Sequence, residues 1–181
     1  MKRLFHSVFL AASLLFFIAS CTEEQDFNQI DDLRVTPTLA SGLFYFESDE
    51  ETINSVGALN SFYSQEINFE AFNEQYVAER LLEGTITYEI ENTTNKQLEI
   101  TIEFLDEAGQ LLDTEAFPID PNSIFTNPVF YGAGGKSIDI LVNTSSLRIT
   151  ANNLSDDTSV SSAEDPKLIL RSGGEFLFQL Q

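Results

Sequence analysis

Carboxylates are the most abundant side chains in this chain that could perform acid–base chemistry. The sequence contains 29 Asp and Glu, but one Cys (Cys21), one His (His6) and no Trp. Two carboxyl groups at a suitable separation are sufficient for glycoside hydrolysis, in which one acts as acid and the other as base or nucleophile. Since the sequence singles out no such pair, a carboxylate-based glycoside hydrolase stays a remote alternative. We expect no catalytic residues and no enzyme activity.

Three acidic clusters could offer oxygen ligands to Ca²⁺, which takes about six to eight of them. They are Asp49-Glu50-Glu51, Asp106-Glu107 and Asp156-Asp157. None has the Asp-x-Asp-x-Asp-Gly spacing of a calcium loop. We therefore predict no metal site and interpret the clusters as solvated loop ends, with weak calcium binding left open.

A glycine-rich segment, Gly132-Ala133-Gly134-Gly135-Lys136-Ser137, looks like part of a phosphate-binding P-loop. The first glycine of the full pattern would fall at position 130, which is Phe130. Pro128 also disfavours a central strand just before the loop. The segment is predicted to be a flexible loop, and we expect neither nucleotide nor any other cofactor.

The first 20 residues have the composition of a secretory signal peptide. A basic tip (Lys2, Arg3) precedes an apolar run over 8–18, and Ala19 and Ser20 stand directly before Cys21. The run is too short to span a bilayer core, which needs roughly 20 apolar residues. We predict that residues 1–20 are removed.

The sequence Ile18-Ala19-Ser20-Cys21 resembles the lipobox of bacterial lipoproteins. That resemblance implies cleavage between Ser20 and Cys21 and acylation of Cys21 with palmitate-type chains, two or more of which anchor a protein stably. The next residue is Thr22 and not Asp, which by the same resemblance implies the outer membrane. The acidic cluster at 23–26 resembles a surface-export signal, so the periplasmic and cell-surface faces both stay open.

Cleavage and acylation would leave few reactive groups in the mature chain. His6 is removed and the only thiol carries lipid, so Ser-His-Asp triads, Cys-His dyads, disulfides and zinc sites built on nitrogen or sulfur are excluded. The whole chain has a formal charge of −20. Such a surface repels nucleic acid and favours cations or basic partners.

The mature chain is predicted to consist of a tether and one domain. Residues 21–36 are acidic and without clear period, which is typical of a flexible tether. Residues 37–181 alternate between short apolar-polar segments and turns, which is typical of a β-sandwich or barrel. Predicted strands are 39–47, 65–72, 85–91, 98–104, 111–117, 122–126, 145–152, 167–171 and 175–180, with possible short helices at 73–82 and 137–142 and a surface loop at 156–166.

Two of these strands have the clearest pattern. Ile86, Tyr88 and Ile90 share one face of the first, and the apolar residues of 98–104 share one face of the second. With the polar turn 92–96 between them, the two runs are predicted to form a hairpin. A second turn at 106–109 would place Gly109 at a positive φ.

The segments 83–94 and 102–112, with an Asn-rich turn and an aromatic-x-Asp-x-x-Gly turn, resemble FxLYD-like and LEA-like domains. The resemblance implies an all-β fold, an antiparallel Ig-like β-sandwich of about seven to nine strands with one or two short helices. It assigns no catalytic residues.

The strand that contains Leu43, Phe44, Tyr45 and Phe46 is apolar on both faces, so it must be covered on both sides by the protein itself or by a partner. The leading hypothesis is an outer-membrane-anchored lipoprotein that acts as a non-catalytic binding or structural module of the cell envelope, with an envelope protein or a glycan as partner. The alternative is an assembly subunit of a surface fibre or envelope complex that exchanges strands, which an open edge at 175–180 would favour.

Overall fold

Eight strands and three short helices form the part of the chain that the structure, a computed structural model, describes: residues 34–57, 60–69, 71–72 and 74–180. Residues Val35–Leu180 make up one compact unit. The strands are β1 (Thr38–Asp49), β2 (Ser61–Asn68), β3 (Leu81–Asn92), β4 (Leu98–Leu105), β5 (Leu111–Ile119), β6 (Ser123–Tyr131), β7 (Ser146–Asn153) and β8 (Lys167–Phe178). The helices are α1 (Glu50–Ser55), α2 (Gln75–Ala78) and α3 (Ile138–Asn143).

The strands build two antiparallel four-stranded sheets, in the orders β1-β8-β3-β6 and β2-β7-β4-β5. The predicted antiparallel β-sandwich of seven to nine strands is therefore confirmed, with three helices where one or two were expected. The connectivity differs from the Ig order, in which the first two strands lie in the same sheet. Here β1 pairs with β8, β2 with β7, β3 with β6 and β4 with β5, which is the nested pairing of a jelly roll.

Alternation along β3 and β4 supplies the centre of the core. Ile86, Tyr88 and Ile90 of β3 are at most 1% exposed, and the apolar residues of β4 from Leu98 to Phe104 are fully buried. Each such side chain contributes roughly 1.5–3 kcal/mol by leaving water. The predicted inward faces are thus confirmed.

The predicted hairpin between these two strands is wrong, because β3 and β4 lie in opposite sheets and face each other across the core. The buried side chain of Asn92 explains the crossing: its amide nitrogen donates to Lys96 O (2.9 Å) and to Asp120 O (3.0 Å). These bonds tie the turn to the β5–β6 connection and so direct the chain into the second sheet. Alternation specifies which face is buried, not which strand is the neighbour.

The second predicted turn is confirmed. Strands β4 and β5 form an antiparallel hairpin. Gly109 has φ 74°, and its N–H donates to Asp106 O at 2.9 Å. A left-handed residue is required here, and glycine adopts that conformation without steric cost.

The predicted strands at 167–171 and 175–180 are one continuous strand, β8, which lies between β1 and β3. Gly174 does not interrupt it; a Cβ at this position would come within 2.5 Å of the Phe176 ring. The glycine therefore permits close packing inside the strand. Since β8 has a partner on each side, the open edge at 175–180 that strand exchange would use does not exist.

The boundaries of several other strands and helices differ by a few residues from the predicted ones. The strand predicted at 65–72 is β2, which ends at Asn68, and the helix predicted at 73–82 is reduced to α2 because Leu81 already belongs to β3. Helix α1 was not predicted; its N-cap is Asp49, which accepts a hydrogen bond from Thr52 N at 2.7 Å. The weaker prediction at 137–142 corresponds to α3, and 156–166 is a loop as expected.

Strand β1 is covered on one face only by the residues that the structure describes. Phe46 is 4% exposed and its ring lies 4.0 Å from that of Tyr63. On the outer face, Tyr45 is 58% exposed, and its hydroxyl donates to Glu47.

Candidate binding groove

A groove of about 1370 Å³ lies at one end of the sandwich. It lies where β2 ends, where β4 turns into β5, and where α3 leads into β7. We call it the end groove and define it by seven of its lining residues, Asn68, Phe72, Glu107, Leu112, Val142, Asn143 and Ser145.

The floor of the end groove is apolar and anchored in the core. Phe72 is 3% exposed, and its ring lies 5.0 Å from Phe176 and 5.9 Å from Phe69 in edge-on contacts. Leu112 and Val142 pack against the same cluster. A ligand with an apolar face would meet a preformed surface here.

The β4–β5 turn forms one wall and is rigid. Oδ1 of Asp106 accepts hydrogen bonds from Ala108 N (2.9 Å) and Gln110 N (2.8 Å). This Asx-type arrangement fixes the turn and engages one of the two carboxylate oxygens, Oδ1. Glu107 points to solvent, and its side chain forms no hydrogen bond or ion pair with any residue that the structure describes.

A second carboxylate at the groove, Glu66, is also engaged. It accepts from Ser146 Oγ (2.8 Å) and from Arg148 (3.1 Å), and Arg148 bonds Glu103 as well (3.1 Å). The hydrogen bond from Ser146, followed by that from Arg148, lowers the pKa of Glu66. Of the three groove carboxylates, only that of Glu107 has neither oxygen engaged by a described residue.

Amide and hydroxyl groups complete the rim. Asn68 and Asn143 are exposed, and Asn143 is oriented by donating to Asp139 O at 2.7 Å. The backbone of Ser145 is held on both sides, since its N–H donates to Leu105 O and its carbonyl accepts from Phe69 N, each at 2.8 Å. Exposed amide groups around an apolar floor suit a neutral, hydroxyl-rich or amide-rich ligand.

The P-loop-like segment does not form a phosphate site. The N–H groups of Gly132, Gly135 and Lys136 donate to backbone carbonyls within 130–136 and are therefore occupied. A Cβ at Gly135 would lie 2.2 Å from Phe130 O, so close packing requires this glycine. Ser137 caps α3. The prediction of a loop is confirmed, and the segment is rigidly held.

Lys136 instead links the two sheets. Its Nζ donates to Asp113 at 2.6 Å and to Glu115, two inward-facing carboxylates of the edge strand β5. Burial alone would lower the pKa of Lys136, but the two hydrogen bonds outweigh it and raise the pKa. Burial, reinforced by the nearby carboxylates, also raises the pKa of the Tyr131 phenol. Both carboxylates are bound to one cation, so this cluster also lacks a free acid–base pair.

Three carboxylates of the acidic clusters, those of Asp49, Glu50 and Asp156, have structural partners. Asp49 caps α1, and Glu50 is 5% exposed and accepts from Ser161 N (2.9 Å) and Ser161 Oγ. Asp156 accepts from Thr158 N (2.9 Å) and Ser159 N (2.5 Å). Among the described residues there is no group of three or more His, Cys, Asp or Glu side chains that could hold a metal ion.

Sequence reasoning missed a buried cation at the opposite end of the molecule. Lys96 is fully buried, and its Nζ donates to Ser159 Oγ (2.7 Å), Asp156 O (3.0 Å) and Asp156 Oδ1 (3.3 Å). It holds the 156–166 loop on the sandwich. A lysine in a polar turn is usually solvated, so the sequence carried no signal for this role.

Ser20 and Cys21, the predicted cleavage and lipidation residues, lie outside the described part of the chain. No helix in that part is long and apolar enough to cross a membrane.

Comparison with known proteins gives no family. No protein-family model matches the chain, and no curated protein matches it. Among solved structures, the VP2 subviral particle of infectious bursal disease virus matches with a TM-score of 0.39 and 12% identity, over 81% of this chain and 33% of that one. The nora virus structure gives 0.40 and 8%, over 81% and 59%.

The enzymatically active domain of tailspike protein 4 from bacteriophage CBA120 gives a TM-score of 0.35 and 13% identity, over 78% of this chain and 19% of that one. The chain thus spans from a fifth to three fifths of the length of these three proteins. At these TM-scores the similarity supports no argument about function, and the assignment of a jelly roll rests on the strand pairing described above.

Proposed function

We propose that this chain is an outer-membrane-anchored lipoprotein of the cell envelope and that its jelly roll is a non-catalytic binding or structural module. The anchor is inferred from Cys21 and the residues before it. The end groove is the observation that carries the binding part of the proposal, because it combines an apolar floor with the exposed amides of Asn68 and Asn143.

A glycan is the ligand that this groove fits best. Sugar rings have an apolar face that could lie on the half-buried side chains of Leu112 and Val142, which Phe72 supports from below, and hydroxyl groups that could bond Asn68 and Asn143. The free carboxylate of Glu107 would accept further hydroxyl bonds. An envelope protein, which would have to present a basic or polar segment here, is the second candidate.

The state of the carboxylates supports a non-catalytic role. General acid–base catalysis needs a proton donor and an acceptor that both reach the substrate. At the end groove, Asp106 is held by its own turn through Oδ1, and both oxygens of Glu66 are held by Ser146 and Arg148. At the sheet edge, Asp113 and Glu115 share Lys136.

Binding is tested with the full-length protein in detergent, against immobilised oligosaccharides prepared from the cell envelope. We expect Asn143→Ala and Glu107→Gln each to weaken the retained interaction at least about ten-fold, which corresponds to about 1.4 kcal/mol. The matched control is Asn152→Ala on the outer face of β7, whose amide bonds Glu99 at 3.4 Å away from the groove. Equal binding by all four proteins would reject the groove as the site.

The anchor is tested independently by labelling cells with a palmitate analogue. Wild-type protein should incorporate the label and sediment with outer membranes, and Cys21→Ala should do neither. A Cys21→Ala protein that still sediments with membranes would contradict the anchoring proposal without affecting the groove.

A further inference from the structure

Strand β1 is a sheet edge that lacks the protection found at the edge strands β5 and β6. Among the described residues it pairs with β8 alone. Edge strands are normally protected from pairing with other chains by proline, charge or inward-pointing charged residues. Strand β6 contains Pro128, and β5 contains Pro118 together with the inward Asp113 and Glu115. The stretch from Thr38 to Gly42 has neither proline nor charge.

The same five residues are exposed along their whole length. Thr38, Leu39, Ala40, Ser41 and Gly42 are each exposed, and Leu39 is 58% exposed. The regular part of the edge ends at a bulge between Gly42 and Phe44. The edge segment that another strand could pair with, which we call the template, therefore consists of the five residues from Thr38 to Gly42.

The register with β8 shows which backbone groups point outward. Phe178 N donates to Pro37 O at 3.0 Å, so Pro37 faces β8. Because hydrogen-bonding direction alternates along an antiparallel strand, the N–H and C=O groups of Thr38, Ala40 and Gly42 point away from the sheet. Ser41 Oγ donates to Gly42 O at 3.0 Å, and this carbonyl keeps a second lone pair for another donor.

Charge decides between possible partners for this edge. Two copies of a chain with a formal charge of −20 repel each other, and close approach is least opposed where neither surface carries charge. The uncharged segment extends from Val35 to Phe46, beyond both ends of the exposed template. A cationic partner strand would find no carboxylate within this segment to pair with.

We propose that two copies of this protein associate through β1, antiparallel about a two-fold axis at Ala40. Thr38 of one copy then pairs with Gly42 of the other, and Ala40 pairs with Ala40. All the outward N–H and C=O groups of the template find partners, and the two sheets join into a continuous sheet of eight strands. Leu39 is covered in the process. The contact involves no strand exchange and is independent of the end groove.

The test is a cysteine placed on the axis. In an antiparallel hydrogen-bonded pair the two Cα atoms lie about 5.5 Å apart, which is within the range of a disulfide, roughly 4.4–6.8 Å. The full-length Ala40→Cys protein should therefore form a disulfide-linked dimer on mild oxidation in intact membranes, seen on a non-reducing gel. The matched control is Thr126→Cys, which lies on the outer face midway along β6. The wild-type protein is a second control, which shows how much disulfide-linked dimer forms through Cys21 alone.

A proline variant tests the same contact without cysteine. Ala40→Pro removes an N–H that points away from β8, so folding should be retained, while the dimer dissociation constant should rise at least about ten-fold by sedimentation in detergent. Ala40→Lys, which places like charges at the axis, should act in the same direction. The proposal is overturned if Ala40→Cys gives no more dimer than Thr126→Cys, or if both substitutions leave the mass in solution unchanged.

Discussion

The two ends of the sandwich treat their polar side chains in opposite ways. At the end that carries the 92–96 turn and the 156–166 loop, which we call the closed end, Asn92, Thr94, Lys96 and Asn153 are at most 1% exposed, and each has hydrogen-bond partners. At the other end, the amides of Asn68 and Asn143 and the carboxylate of Glu107 are exposed around an apolar floor. Polar groups at the closed end therefore determine the fold, whereas those at the end groove are available to a ligand.

The sharpest way to break this contrast is to remove the amide of Asn92. It makes four hydrogen bonds, to Lys96 O, Asp120 O, Thr94 N and Thr94 Oγ1, and each is worth about 1 kcal/mol. We expect Asn92→Ala to lower the free energy of unfolding by about 4 kcal/mol, measured by urea denaturation. Asn68→Ala at the end groove is the control and should change it by less than about 0.5 kcal/mol. Equal losses would show that the two ends are not different.

A smaller decrease in the free energy of unfolding is expected when Lys96 is replaced. Lys96→Met keeps most of the buried stem and removes the ammonium that holds the 156–166 loop. Hydrogen bonds to a charged group are worth about 1.5–3 kcal/mol, so unfolding should become easier by about 2 kcal/mol, and the loop should become susceptible to protease before global unfolding. If protease cleaves the loop no faster in Lys96→Met than in wild type, Lys96 does not attach the loop to the sandwich.

Acid should affect the closed end more than the groove end. The hydrogen bonds from Ser159 N and Thr158 N lower the pKa of Asp156, and Ser146 and Arg148 lower that of Glu66. A lowered folded-state pKa stabilises the protein above the ordinary pKa, and this stability is lost as the pH falls toward the folded value. Below about pH 4.5, the melting temperature of Asp156→Asn should therefore depend less on pH than that of wild type. Glu66→Gln should show a smaller reduction in this pH dependence. A larger effect in Glu66→Gln would reverse the comparison.

The sequence predicted which face of a strand is buried better than it predicted which strands pair. Alternation in 85–91 and 98–104 correctly identified the core residues, because burial on one side of a strand requires that period whichever sheet the strand joins. It could not identify the partner strands, since that choice depends on the Asn92 side chain reaching Asp120, which is 28 positions away. The gap predicted between the strands 167–171 and 175–180 has a related cause, because the close contact of Gly174 with the Phe176 ring exists only in the folded sheet.

The end groove could not have been predicted from the sequence. Its residues come from the end of β2, the β4–β5 turn and the α3–β7 connection, which no single motif brings together. The glycine-rich segment and the carboxylates of Asp49, Glu50 and Asp156 use their polar groups within the fold, whereas Glu107 of the Asp106-Glu107 cluster lies at the groove. The composition excluded several kinds of catalytic site, but only the tertiary structure shows where the end groove lies.

The smallest effect on stability is expected at Glu107. Its side chain has no partner among the described residues, so Glu107→Gln should leave the free energy of unfolding unchanged to within about 0.5 kcal/mol in urea denaturation. The same substitution should weaken ligand binding. A large loss of stability would show that Glu107 belongs to the fold and not to the ligand site.

The most direct test of the account is an NMR titration of the isotopically labelled full-length protein in detergent with envelope oligosaccharides. The account predicts saturable amide shifts at Asn68, Glu107, Asn143 and Ser145, with no change at Asn92, Lys96 and Asn153. Shifts confined to the closed end, or no shifts at saturating oligosaccharide, would contradict a glycan-binding function for the end groove.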